Sequence, residues 1–201
     1  MNKSFFAQNF GILFTVPENA LFFAPYFNSI NAYFSEASKV ASITGSPTVY
    51  GGYLEIHATN DQVKYADGFL DGNQQFTLKF TYNPNYNGAP GGSGVNIIGS
   101  DGSGGFGLAH MGNGNLGFSV DSPGHNFANI SANWLPTAGT DYEIVVYSDG
   151  SGSGSHSIYI NGSLLVSGSG SGTIGGTGNL QIGSFSSNSF KIKNYQILTG
   201  V

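Results

Sequence analysis

A chain of 201 residues with six lysines, no arginine and eleven acidic residues, for a formal net charge of −5, has no clustered basic surface to hold a nucleic-acid backbone or an anionic membrane. Only 8% of residues are charged and cysteine is absent, so disulfides, thiolate nucleophiles and sulfur-ligated metals are excluded. The length suits one domain burying about 70% of its unfolded surface, and no apolar run approaches the roughly 18 residues of a membrane-spanning helix. Solubility therefore rests on Ser, Asn, Thr, Gln and Gly, a neutral polar surface of the kind common on extracellular and virion proteins, with a weak long-range field.

Residues 1–20 carry Phe5, Phe6, Phe10, Ile12, Leu13 and Phe14 without a clear period. Two readings stay open: an aromatic N-terminal arm that docks on a neighbouring subunit, or a first strand of the domain's own sheet. Gln8, Asn9 and Gly11 break any compact apolar run and no small-residue cleavage site precedes Pro17, so the segment is expected to be retained rather than removed as a secretory signal. From Leu21 to Lys39, the three- to four-residue spacing of Phe23, Phe27, Ile30 and Phe34 suits a short helical turn, while the aromatic content suits a strand nearly as well.

From Val49 onward the chain reads as β. Short alternating runs fall at 53–57, 63–66, 76–82, 95–99, 106–111 and 116–121, and again at 142–148, 158–160, 164–166, 180–183 and 190–198. Between Ile160 and Leu164, Asn161-Gly162 supplies the two positive-φ residues that a tight hairpin needs. Many short strands with Gly/Ser punctuation predict an all-β, two-sheet antiparallel sandwich, with the serine-glycine tracts at 148–155 and 167–178 as loops between neighbouring strands.

No reactive constellation stands beside this pattern, and no catalytic residue is assigned. The strings Gly112–Gly117 and Gly170–Gly175 match a dinucleotide fingerprint in spelling only, since both lie between strands where no helix begins. Glu18, Glu36, Glu55 and Glu143 are mutually remote, and no strand carries the alternating carboxylates that would supply a glycosidase pair directly. His57, His110, His125 and His156 lack metal-ligand spacing. Asp101, Asp121 and Asp149 each sit on a loop with backbone carbonyls at hand, the oxygen ligands that calcium takes; the same residues equally suit Asx-type turns. Trp134 beside Asn133, and Tyr82 and Tyr86 flanking the loop NPNYNGAPGG, offer aromatic faces and amides for a pyranose, against the plain alternative of buried packing.

From Phe76 to Leu198 the succession FTLKFTY, IIGSDGSGGFGLAHMGNGNLGFSVD, TDYEIVVYSDG, IYINGSLL, NLQIGSF and FKIKNYQIL resembles the concanavalin A-like lectin/glucanase superfamily, in particular its laminin G-like branch. That resemblance implies a curved jelly roll over residues 21–201, with residues 1–20 as arm or first strand, whose members bind glycans or proteins, sometimes through calcium. The hydrolytic E-x-D-x-E motif of the glucanase branch is absent, so no catalytic residue carries over.

The expectation favoured on these grounds is a non-enzymatic virion component, a phage capsid decoration or tail/fibre subunit located in the virion. Phe5, Phe6, Phe10 and Phe14 would be its interface anchors on capsid or tail proteins, and a homo-oligomer such as a trimer its assembly. The alternative is an extracellular carbohydrate-binding lectin, with a polysaccharide hydrolase third. No cofactor is required on either reading; calcium is the one candidate.

Overall fold

Period-two alternation builds this protein. In 76–84 the side chains of Phe76, Leu78, Phe80 and Tyr82 are fully buried while Lys79 and Thr81 reach the other face, which only an extended strand achieves. The computed structural model describes residues 3–6, 13–16, 19–24, 26, 34–35, 40–57, 60–65, 75–100, 105–120, 129–150, 154–170, 178–183 and 188–200, with backbone alone described for 3–6, 13–16, 34–35 and 40–41. Every regular element among them is a strand.

The strands are β1 (Lys3–Phe6), β2 (Leu13–Val16), β3 (Ala20–Ala24), β4 (Phe34–Ser35), β5 (Val40–Thr44), β6 (Thr48–Tyr50), β7 (Tyr53–Ile56), β8 (Gln62–Tyr65) and β9 (Phe76–Pro84). They continue with β10 (Val95–Ser100), β11 (Phe106–His110), β12 (Asn115–Val120), β13 (Ile130–Asn133), β14 (Tyr142–Ser148), β15 (Ser155–Ile160), β16 (Ser163–Ser169), β17 (Leu180–Ile182) and β18 (Phe190–Thr199). Seven form one antiparallel sheet in the order β13-β12-β11-β10-β17-β8-β5. Nine form the other, β16-β15-β14-β9-β18-β3-β4, with β7 on β18 and β6 on β7. The core lies between them: Phe76 of the larger sheet meets Phe106 and Phe118 of the smaller at centroid distances of 5.5 and 6.3 Å. Burying each such ring contributes about 1.5–3 kcal/mol.

Local chemistry sets the joints. Asn161 and Gly162 have φ of +50° and +78°, the signature of the tight hairpin expected there, and they join β15 to β16. Asn194, at φ +53°, bulges β18 where its outer neighbour changes from β7, paired with 190–192, to β3, paired with 195–198. The Gly112–Gly117 string spans the turn between β11 and β12 and the start of β12, with Gly114 at φ +90°, so its glycines serve a hairpin.

Two elements, one left open by the sequence and one missed, have clear causes. Of the helical turn and the strand that both suit the segment after Leu21, residues 20–24 take the strand, β3, because Phe22 and Ala24 point into the main core and Phe23 packs on the opposite face with Ala20 and Leu198, while Phe27 and Ile30 lie outside the described residues. Strand β13 was not expected, since Ile130 is the one large apolar residue in Ile130–Asn133; its pairing with β12 defines it instead. At the N-terminus β1 and β2 pair with each other, Phe5 opposite Phe14, in a two-stranded sheet of their own.

Candidate functional site

The outward positions of the nine-stranded sheet should be polar, and on β14 and β15 some of them are not. Because Ile144, Val146 and Ile158 face the core, Val145, Tyr147 and Tyr159 must face outward. Register then sets Val145 between Lys79 and Tyr159, and Tyr147 between Thr77 and Ser157. These side chains, with Leu198 of β18 across from them, line an open groove of about 850 Å³. The Tyr147 and Tyr159 rings stand edge to face, centroids 5.5 Å apart at 86°, each holding the other's orientation. Beside them Lys79 Nζ lies 2.9 Å from Glu143 Oε2, and both side chains remain nearly half exposed. Apolar ring faces, hydroxyls and an adjacent donor–acceptor pair are the complement of a sugar ring, which has an apolar face and a rim of hydroxyls.

The four aromatic and amide residues expected to meet a glycan, Tyr82, Tyr86, Asn133 and Trp134, do come together, at one end of the sandwich rather than in the groove. They are joined by His110, one of the four histidines that lack metal-ligand spacing in the sequence. His110 Nε2 is 2.9 Å from the Trp134 carbonyl oxygen, an acceptor, so Nε2 must carry a proton. In the neutral ring Nδ1 then accepts from the Tyr86 hydroxyl at 2.8 Å, and Tyr86 in turn accepts from Tyr82 at 2.8 Å. Every proton in this chain has one direction. Burial raises the pKa of both phenols.

The expectation of free tyrosine faces is therefore corrected: Tyr82 and Tyr86 are 0% and 8% exposed and belong to the core. Trp134 is half-buried, edge-on to Tyr142 at 5.1 Å and packed on His110 at 5.3 Å, which matches the packing alternative. Asn133 is exposed, its amide 3.4 Å from the Gly114 carbonyl oxygen.

The acidic loop residues are placed as follows. Asp101 and Asp121 lie outside the described residues, as does Phe10 of the N-terminal segment. Asp149 Oδ2 accepts the Ser155 N–H at 2.8 Å, the turn-closing arrangement, and among the described residues no three His, Cys, Asp or Glu side chains converge for a metal. A second polar cluster was not foreseen. Asp141 takes hydrogen bonds from Lys193 (2.7 Å), Asn83 (2.7 Å) and the Tyr53 hydroxyl (2.7 Å), tying β7, β9, β18 and the residue that leads into β14 together at the surface. Burial opposes the Asp141 charge, but these donors outweigh it and hold the carboxyl below its usual range.

Two buried histidines give the fold a pH dependence. Burial lowers the pKa of His110 and His156 below the ordinary 6.5, outweighing the backbone hydrogen bonds at His110 and the Asp149 charge near His156 that act the other way. A depressed folded pKa means that the unfolded chain takes up protons first, so stability is full above about pH 6.5 and falls as the pH is lowered through that value. Asp61, whose pKa is lowered as well, adds a loss of the same sign near and below its ordinary 3.8. Urea unfolding between pH 8 and pH 5 is expected to show a falling midpoint, with a shallower slope in His156→Gln.

The fold and its arrangement of strands define a lectin-type jelly roll. The chain belongs to the concanavalin A-like lectin/glucanases superfamily, whose laminin G-like model matches residues 57–197. Among solved structures it is similar to the binding domain of botulinum neurotoxin serotype D/C, at a TM-score of 0.69 and 12% identity over 90% of this chain and 49% of that one. A structure of botulinum neurotoxin type C, described by its dependence on two ganglioside molecules for cell entry, gives 0.67 and 15% over 89% and 47%. The binding domain of botulinum neurotoxin DC in complex with SialylT gives 0.66 and 12% over 90% and 48%. The chain thus spans about half the length of these neighbours, and the likeness is one of fold. No curated protein matches it in sequence.

Proposed function

We propose that the protein is a non-enzymatic glycan-binding module whose site is the groove on the outer face of the nine-stranded sheet. One observation carries the reading: three adjoining outward positions on β14 and β15 that sheet chemistry would make polar are Val145, Tyr147 and Tyr159, arranged as a platform beside the Lys79–Glu143 pair and serine and threonine hydroxyls. Membership in a lectin and glucanase superfamily supports it, as do structural neighbours described with gangliosides and a sialylated ligand. Both carboxylates of the groove are engaged, Glu143 with Lys79 and Asp149 with Ser155, which favours binding over hydrolysis. Binding of the full chain to a glycan array tests the reading. Signal that disappears in groove variants supports it; no signal on any glycan, or release of reducing ends from a bound polysaccharide, overturns it.

The arrangement of β1 and β2 favours a second role. Their separate two-stranded sheet sets Phe5 opposite Phe14, with Phe6 on the same strand as Phe5, as a docking arm for a capsid or tail partner or for further copies in a homo-oligomer such as a trimer would. Deleting residues 1–18, which ends short of Asn19 and β3, is expected to leave the thermal midpoint within a few degrees while abolishing self-association in light scattering. A deletion variant that no longer folds would assign the segment to the domain instead.

A further inference from the structure

Granting the glycan-binding reading above, we infer that the groove selects uncharged, hydroxyl-rich glycan segments and discriminates against sialylated or otherwise anionic ones. The charges on this face carry the inference. Among the described residues three lysines point outward from the nine-stranded sheet, and each is already held by an acid: Lys79 by Glu143 at 2.9 Å, Lys191 by Glu55 at 3.6 Å and Lys193 by Asp141 at 2.7 Å. The chain contains no arginine that could grip a carboxylate in the two-pronged way.

An anionic sugar entering beside Tyr147 and Tyr159 would have to draw Lys79 away from Glu143, leaving that carboxylate unpaired next to the incoming charge. Asp149 adds a second negative group at the end of the groove, and the net charge of −5 sets a repulsive field at longer range. A neutral sugar meets none of these penalties. Its hydroxyls can accept from the Lys79 ammonium and donate to Glu143 while the pair stays intact, and the exposure of both side chains, 42% and 47%, leaves lone pairs and protons available for it. Glu143 is thus the specificity-determining residue, acting by occupying Lys79, the one cation that lines the groove among the described residues.

The test is a glycan array carrying the same oligosaccharide cores with and without terminal sialic acid, probed with the full chain and with Glu143→Gln, whose thermal midpoint is checked alongside. The expected result is wild-type binding to neutral cores at least tenfold above their sialylated counterparts. In Glu143→Gln that ratio should fall severalfold, because Lys79 is released. Equal or stronger wild-type binding to the sialylated cores overturns the selectivity while leaving the groove as a glycan site. An unchanged ratio in Glu143→Gln removes Glu143 as its cause, and failure to bind any core overturns the binding reading and this inference together.

Discussion

Replacing both Tyr147 and Tyr159 by alanine is expected to lower glycan affinity by roughly 2–4 kcal/mol, on the order of 30- to 1,000-fold, with little change in stability. Ring faces that stack against a sugar contribute through area and orientation, and here each ring's orientation is set by the other at 5.5 Å and 86°. Removing one ring therefore also loosens its partner, and the costs of the two single variants should sum to more than that of the double. Both side chains are half-buried on an outer sheet face, away from Phe76, Leu78 and Phe80, so the thermal midpoint should move by only a few degrees. The paired phenylalanine variants keep the stacking area and lose the hydroxyls, and should retain most of the affinity. Calorimetric titration with a glycan that binds the wild type measures all four.

The second large effect is on stability, at Tyr86. In Tyr86→Phe the Tyr82 hydroxyl loses its acceptor and His110 Nδ1 loses its donor, both in buried surroundings. Each group left unsatisfied costs about 1–3 kcal/mol, so a loss of roughly 2–6 kcal/mol is expected. Tyr82→Phe removes only the outermost donor of the same chain and should cost about 1 kcal/mol. The contrast between deleting the middle of a directional chain and deleting its end separates hydrogen bonding from packing, since the two substitutions remove the same atom. Urea unfolding with an unchanged m-value would read both costs directly.

Much of the architecture was legible because it is written in short-range chemistry. Alternation within FTLKFTY and YEIVVYS placed β9 and β14, Asn161-Gly162 placed a hairpin, and the order of elements pointed to the superfamily that the chain belongs to. Strand β13 was invisible for the opposite reason: Ile130–Asn133 has too little pattern of its own and is defined by its partner. In the segment from Leu21 to Lys39, spacing left a helical turn and a strand open, and residues 20–24 take the strand, burying Phe22 and Phe23 on opposite faces.

The candidate site was read less well. Trp134, Tyr82 and Tyr86 were identified as a group, and they are one, but which side of a ring is covered depends on tertiary packing that no spacing reports. The groove carried a signal that could have been used. Once Ile144 and Val146 are assigned inward, Val145 and Tyr147 fall together on the outer face as the less polar part of their strand. Their alignment with Tyr159 requires the register of β14 with β15, which only the folded sheet provides.

Backbone amide chemical-shift mapping during titration of the full chain with an array-positive glycan tests the central claim most directly. The account predicts that the perturbed amides cluster on Thr77, Lys79, Val145, Tyr147, Ser157 and Tyr159, with those around Trp134 and Asn133 unmoved. Perturbations confined to the Trp134 end, with the outer face of the nine-stranded sheet silent, would contradict it.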